Sequence, residues 1–236
     1  MEPVLFYGVP SGCSFGSIVA LEWLGKPYRL SRIEMVKDDF MSGDYRFINP
    51  VGETPALITG EGAVLTESIA ILNHLGVGGI ETGLAFAQGT PEFDRLNRML
   101  AFLNTAFFTS FGPLWYVYEH GGEEAAKAAL TDYGRFKVRK AHADLEAMLG
   151  DKQWLLGDHK TLADAYFIGI GRWTDYHDVV DREDYPNLAR LYRQLEDDPA
   201  VVFAHAMEDG RSAQSAGGYL GDISVTDALK RVRREV

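Results

Sequence analysis

A single cysteine in 236 residues leaves no partner for an intramolecular disulfide and no thiolate set for a zinc site. That usage points to a reducing cytoplasm as the compartment. No apolar stretch approaches the roughly 20 residues that span a bilayer, and Met1-Glu2-Pro3-Val4-Leu5 lacks the basic start and long apolar core of a signal peptide. Positive charge is scarce as well. A formal net charge of −11 works against non-specific binding to nucleic acid or to an anionic membrane, because both need a basic face. The local exception, Lys230, Arg231, Arg233 and Arg234, reads as a solvated helix face. The six histidines, at 74, 120, 142, 159, 177 and 205, show no paired spacing with carboxylates, so no metal is expected. What remains is a globular composition, 46% apolar and 24% charged, in a chain long enough for two small domains with cores of their own.

The stretch Asn49 to Ser68, NPVGETPALITGEGAVLTES, carries the densest local instruction. Ala56-Leu57-Ile58 and Ala63-Val64-Leu65 flank Thr59-Gly60-Glu61-Gly62, which predicts a β-hairpin. Thr66-Glu67-Ser68 then opens a segment with apolar residues at Ile69, Leu72 and Leu75, as a helix does after a strand. Pro55 cannot donate to a ladder and keeps Thr54 extended. With a cis bond at Thr54-Pro55, the Thr54 backbone would turn outward and could pair with a bound extended peptide. The N–H groups of Glu67 and Ser68 lie at a helix N-terminus, where a carboxylate is favoured. A small acidic peptide fits both features. The plain alternative is a trans turn proline and a serine that only caps its helix.

Along the chain, Pro3 to Tyr7 reads as a strand, and Gly8 to Gly12 as a loop. A helix from Ser14 carries Ile18, Leu21 and Leu24 and stops at Gly25-Lys26-Pro27. Tyr28 to Met35 reads as a second strand, and Val36 to Phe47 as a loop with a short helix. This βαβ, then ββα, order is the thioredoxin-like arrangement, a four-stranded mixed sheet with helices on both faces. The glycine-bearing stretch from Gly76 to Pro91 separates it from an all-helical second half. The expected division is residues 1–78, a linker at 79–90, a helical domain at 91–210 and a tail at 211–236. In the helical half, apolar positions from Leu96 to Phe111 predict a long helix that Gly112-Pro113 kinks and Gly121-Gly122 ends. Glu123 to Leu149 is its antiparallel neighbour. Thr161-Leu162-Ala163-Asp164 is a capping box. Pro186 to Asp198 and Val201 to Asp209 are further helices. Ser212 to Gly221 reads as a small-residue linker, and Ser224 to Glu235 as a terminal helix.

Cys13, in Pro10-Ser11-Gly12-Cys13-Ser14, falls in the expected first turn of the first helix, where the positive end of the dipole favours thiolate. A free thiol of pKa about 8.5 is a few per cent ionised near neutrality, and such a site raises that fraction. Gly16 stands where a redox pair would have its second cysteine, so a mixed disulfide at Cys13 would need an external thiol to resolve it. A buried inert thiol is the alternative.

Two motifs about a hundred residues apart carry a family resemblance: Asn49-Pro50-x-Gly52-x-x-Pro55 followed by Leu65-Thr66-Glu67-Ser68, and Gly157-Asp158-His159-x-Thr161-Leu162-Ala163-Asp164-Ala165-Tyr166. Together with Cys13 they resemble the glutathione transferases, over about residues 3 to 209, and the cysteine loop is similar to that of the bacterial beta class. The resemblance implies an α/β thioredoxin-like N-terminal domain, an all-α C-terminal domain, glutathione as co-substrate and a homodimer, to which Arg95 and Arg98 could contribute. It implies that Glu67 and Ser68 hold the γ-glutamyl carboxylate and that Thr54, ahead of Pro55, pairs with the cysteinyl backbone. Cys13 would exchange with glutathione, and Tyr7 and Ser14 are further hydroxyls that could bond its thiolate. In the family, polar groups on the first long helix assist conjugation; here the turns read Ala101, Asn104, Thr105, Phe107, Phe108 and Thr109 and offer no histidine or lysine. The loop from Tyr7 to Cys13 is one residue longer. Phe108 and Trp115, in the run Phe107, Phe108, Phe111, Trp115 and Tyr118, would wall a pocket for a small hydrophobic electrophile. The expected activity is transfer of the glutathione thiol to that electrophile. The alternatives are a glutathione-dependent disulfide reductase using Cys13, and a non-catalytic adaptor on the same fold.

Overall fold

The computed structural model describes residues 1–35 and 43–233. Residues 36–42 of the expected loop, and Arg234 and Glu235 of the expected terminal helix, lie outside the described residues. In chain order the elements are β1 (Val4–Val9), α1 (Phe15–Leu24), β2 (Tyr28–Glu34), α2 (Tyr45–Ile48), β3 (Ala56–Ile58), β4 (Val64–Thr66) and α3 (Ser68–Gly76). There follow α4 (Pro91–Phe102), α5 (Gly112–His120), α6 (Glu124–Leu149), α7 (Leu162–Gly171), α8 (Trp173–His177), α9 (Pro186–Glu196), α10 (Pro199–Glu208), β5 (Tyr219–Asp222) and α11 (Val225–Leu229).

The chain divides into two compact units. Residues 1–85 and 197–236 form the first, and residues 86–196 the second. Helix α10 and the described residues after it therefore group with the sheet, whereas residue order alone assigned 91–210 to the helical half.

In the first unit the sheet has five strands in the order β4-β3-β1-β2-β5. The four expected strands are present, with β1 parallel to β2 and antiparallel to β3, and with β3 and β4 forming the hairpin. The fifth comes from the tail, where β5 runs parallel to β2 with Tyr219 opposite Tyr28 and Asp222 opposite Leu30. The short segment Tyr-Leu-Gly-Asp has little pattern of its own, but it lies along β2, whose edge N–H and C=O groups need partners. Strand alternation sorts the core into two layers. Val4, Phe6, Ile33, Ala56 and Ile58 pack with Tyr45 and Ile48 of α2 and with Ala228 of α11. Helix α1 packs against α3 and α10. It ends as expected, at Gly25 in the left-handed region (φ 63°).

In the second unit α7 is buried along its whole length. The expected capping box is formed: Asp164 accepts from the Thr161 N–H at 2.8 Å and from its hydroxyl at 3.0 Å. The same carboxylate accepts from the Leu155 N–H at 2.9 Å, tying the preceding loop to the helix. The first long helix differs from the expectation. After α4 the chain runs through one wider, π-type stretch (Leu103–Phe108), and α5 starts anew at Gly112 with Pro113 in its first turn. Proline is accommodated there because a first-turn N–H has no helical acceptor to lose.

Candidate functional site

Strand register gathers the expected site residues of the first unit at one end of the sheet. Phe6 lies opposite Ala56, so two residues further on Gly8 comes beside Thr54. Ala56 lies opposite Thr66, so Thr54 and Pro55 come beside Glu67 and Ser68. The Thr54-Pro55 bond is cis. Thr54 is buried, its hydroxyl donating to the Met35 sulfur at 3.6 Å. A Cβ on Gly8 would stand 2.3 Å from the Thr54 hydroxyl and 2.5 Å from the Met35 sulfur, so the strand ends close up only around a glycine. Neither Gly8 nor Met35 was singled out in the sequence, because their closeness to Thr54 is a consequence of register.

The loop that presents Cys13 is folded tightly on itself. Its Val9-Pro10 bond is also cis and Ser11 has φ 55°. The Ser14 hydroxyl accepts from the Gly8 N–H at 3.1 Å, and a Cβ on Gly12 would stand 2.4 Å from the Gly8 carbonyl oxygen. Cys13 therefore lies in the turn ahead of α1, two residues before its first helical residue, and not within the first helical turn. The thiol is half-buried and donates to the Thr54 carbonyl at 2.9 Å. It occupies the acceptor that a peptide backbone paired with Thr54 would use.

At the third corner, Glu67 has φ 70° and ψ 124° and α3 begins at Ser68. Ser68 is thus the first residue of the helix and Glu67 the one before it, where the sequence alternative made Ser68 a cap. A glutamate held in this region costs about 1–3 kcal/mol, and such conformations concentrate at ligand sites. They leave the first N–H groups of α3 without helical acceptors at the end of the sheet where Cys13 and Thr54 meet.

The other two hydroxyls are engaged elsewhere. Tyr7 is buried in β1, and its hydroxyl donates to the Met207 carbonyl at 3.3 Å, at the end of α10. Burial raises its phenol above the ordinary value, while the nearby Arg32 guanidinium works in the opposite direction. Arg32 donates to the same carbonyl at 2.8 Å, so the pair terminates α10. Ser14 is fully buried and closes the cysteine loop.

A clamp that the sequence did not reveal stands behind Thr54. The Glu53 carbonyl accepts from the Tyr45 hydroxyl at 2.6 Å and from the Asn49 side-chain amide at 2.7 Å. The Asn49 side-chain oxygen in turn accepts from the Val51 N–H at 3.2 Å. Burial pushes the Tyr45 phenol up, which keeps it a neutral donor.

In the second unit the aromatic run separates into two sets. Phe107 and Phe111 are fully buried against His142. Phe108 and Trp115 are half-buried and meet Trp173, with ring centroids 5.3 and 5.1 Å apart. Trp115 also stacks on Tyr176 at 5.1 Å and meets His177 edge-on at 4.5 Å. Trp173, Tyr176 and His177 were overlooked in the sequence, although their spacing already puts them on one side of a helix. Among the described residues, no group of three His, Cys, Asp or Glu side chains is placed to hold a metal.

A thioredoxin-like domain with its cysteine loop, cis-proline loop and helix start at one end of the sheet, joined to a helical domain, defines the class. Family profiles described as Glutathione S-transferase, N-terminal domain and C-terminal domain match residues 10–76 and 99–199. The chain is 31% identical over 167 residues to Glutathione S-transferase GST-4.5 of Xanthomonas campestris, covering 71% of this chain and 80% of that one. It is similar to the solved structure of a sphingomonad glutathione S-transferase complexed with glutathione, with TM-score 0.75 and 28% identity over 87% of this chain and 98% of the other. The bacterial beta class glutathione S-transferase of Sphingomonas chungbukensis superimposes with TM-score 0.75 at 27% identity, over 87% and 98% of the two chains. This chain belongs to the glutathione S-transferase family.

Proposed function

We propose that the protein is a cysteine-type glutathione transferase, similar to the bacterial beta class, that binds glutathione in the first unit and transfers its thiol to a small hydrophobic electrophile. The observation that carries this reading is the 2.9 Å contact between the Cys13 thiol and the Thr54 carbonyl, beside the cis Pro55. In the proposal the cysteinyl backbone of glutathione pairs with Thr54 and displaces the thiol from that carbonyl, leaving Cys13 next to the incoming sulfur. Glu67 and Ser68 receive the γ-glutamyl carboxylate over the start of α3. In this reading the glutathione sulfur itself attacks the electrophile and Cys13 stands beside it; Tyr7 and Ser14, engaged with Met207 and Gly8, are left out. Phe108 and Trp115 contribute the apolar wall for the electrophile. The glutathione complex and the beta-class relative among the similar structures support this reading. The homodimer is carried over from the family resemblance.

The position of the one cysteine favours a second activity at the same site, reduction of glutathione mixed disulfides. The Cys13 thiolate would attack the glutathionyl sulfur of RS–SG, releasing RS⁻ and forming Cys13–S–SG. A glutathione thiolate would then attack the glutathionyl sulfur of that bond, releasing the Cys13 thiolate and oxidised glutathione, so each turnover consumes one free glutathione and the other half of the oxidised glutathione comes from the substrate. Replacing Cys13 separates the two activities. In Cys13→Ala, conjugation of glutathione to an activated aryl halide should largely persist, while mixed-disulfide reduction should drop to the uncatalysed rate. Retention of the wild-type protein on immobilised glutathione is expected, and flow-through would favour a non-catalytic adaptor.

A further inference from the structure

We propose that the C-terminal segment, residues 212–233, is a positioning element for the glutathione site that acts through Tyr45 and the Glu53 carbonyl on Thr54; this rests on the reading that Thr54 receives glutathione. The segment lies past the family match, which ends at residue 199, and it is fastened at four places along the first unit. At its start the buried Glu22 carboxylate of α1 accepts from the Tyr28 hydroxyl, the Ser215 hydroxyl at 2.6 Å and the backbone N–H groups of Ala216 and Gly217 at 3.0 and 2.9 Å. A Cβ on Gly217 would stand 2.7 Å from the Glu22 Cα, so the approach requires glycine there. Strand β5 then pairs with β2, and the Ile223 N–H donates to the Leu30 carbonyl at 2.9 Å. Helix α11 follows, its Thr226 hydroxyl donating to Asp44 at 2.7 Å. Beyond it Arg231 pairs with Glu2 at 2.9 Å and the Arg233 N–H donates to the Gly62 carbonyl at 2.9 Å.

The consequence for the site runs through α2. That helix is only four residues long, too short to hold itself. Ala228 is completely buried in the cluster that contains Tyr45 and Ile48, with Val225 and Leu229 packed against it. These three residues pack in the cluster that holds α2, and Thr226 holds its N-terminal flank at Asp44. Tyr45, fixed in this way, brings its hydroxyl to the Glu53 carbonyl, one residue before Thr54. With the 49–54 backbone already ordered, glutathione binding need not supply that ordering, and affinity rises accordingly. The same packing buries the Val4, Phe6, Ile33 layer, so stability alone also predicts a loss when it is removed. The distinguishing prediction is a defect specific to glutathione.

The test compares full-length Val225→Ala/Leu229→Ala with wild type and with Leu191→Ala, a cavity in α9 of the second unit, at a temperature where all three are folded by circular dichroism. Titration calorimetry with glutathione is expected to give a Kd about fivefold weaker in the tail variant, the size of one lost hydrogen bond, and an unchanged Kd in Leu191→Ala. Hydrogen exchange over residues 45–54 should accelerate in the tail variant without any ligand, and Leu229→Met should restore both readouts. Wild-type affinity with unaltered exchange over 45–54 in the tail variant overturns the proposal, as does an equal loss in Leu191→Ala. If wild type itself binds no glutathione, the reading under the proposed function falls and this inference falls with it. If wild type binds and the tail variant binds equally, only the inference falls.

Discussion

Gly12 shows how much of this site rests on single atoms. Adding one methyl group puts a carbon 2.4 Å from the Gly8 carbonyl oxygen, and that oxygen is backbone, so the loop itself must move. Gly12→Ala is expected to destabilise the protein by about 1–3 kcal/mol and to pull the Cys13 thiol from the Thr54 carbonyl. Alkylation of Cys13 by iodoacetamide should then run several-fold faster than in wild type, and an unchanged rate would show that the loop absorbs the methyl. The same scale explains which candidate residues were legible. Cys13, Thr54, Pro55, Glu67 and Ser68 are chemically distinctive and lie within local motifs. Tyr7 and Ser14 were candidates from their hydroxyls, but a hydroxyl's role depends on its partner. For these two the partners are the end of α10, two hundred residues away in sequence, and the Gly8 N–H of the same loop.

At the level of elements, periodicity and capping chemistry locate most helices and strands because they are local. The Thr161 capping box is such a case, and its contribution is measurable. Asp164 is completely buried, and burial pushes its carboxyl up to about 6, although the Leu155 and Thr161 donors work against that shift. Thr161→Ala removes one of those donors and the N-cap oxygen, which should cost about 1–2 kcal/mol. For a chain of this size that lowers Tm by roughly 3–6 °C, measurable by calorimetry; a change under one degree would mean that Asp164 alone holds the helix start. Strand β5 is the contrary case. Its four residues carry one aromatic and a glycine, and Ser212 to Gly221 accordingly reads as linker. It becomes a strand because the edge of β2 offers unpaired backbone groups and Glu22 holds the approach. Neither influence is local to the segment.

For the whole molecule, buried ionisable groups couple folding to pH. Burial lowers both His142 and His177 to about 4, so both are neutral in the native state near neutrality. In the unfolded chain a histidine takes up its proton near 6.5. As pH falls from about 6.5 to about 4 the unfolded state gains protons that the native state refuses, and stability declines through that window. His142 alone accounts for roughly 3 kcal/mol of it. Asp164 acts with the opposite sign, because its raised pKa lets the native state bind a proton first between about 6 and 4. Two histidines against one aspartate leave a net loss. The urea midpoint is therefore expected to be lower at pH 5 than at pH 7, and the His142 ring resonances should not titrate between those values. Titration of His142 near 6.5 would refute the assignment.

By itself the sequence determined the family and the thioredoxin-like and helical halves, and it supplied the residues proposed to meet glutathione, because periodicity, capping and the cysteine and proline motifs act over a few residues. Only the tertiary structure decided that Cys13 meets the Thr54 carbonyl, that Tyr7 serves α10, and that Tyr219–Asp222 adds a strand to the sheet. Each of those outcomes joins groups distant along the chain. Register and burial choose such partners from many chemically equivalent ones, and no local pattern records the choice.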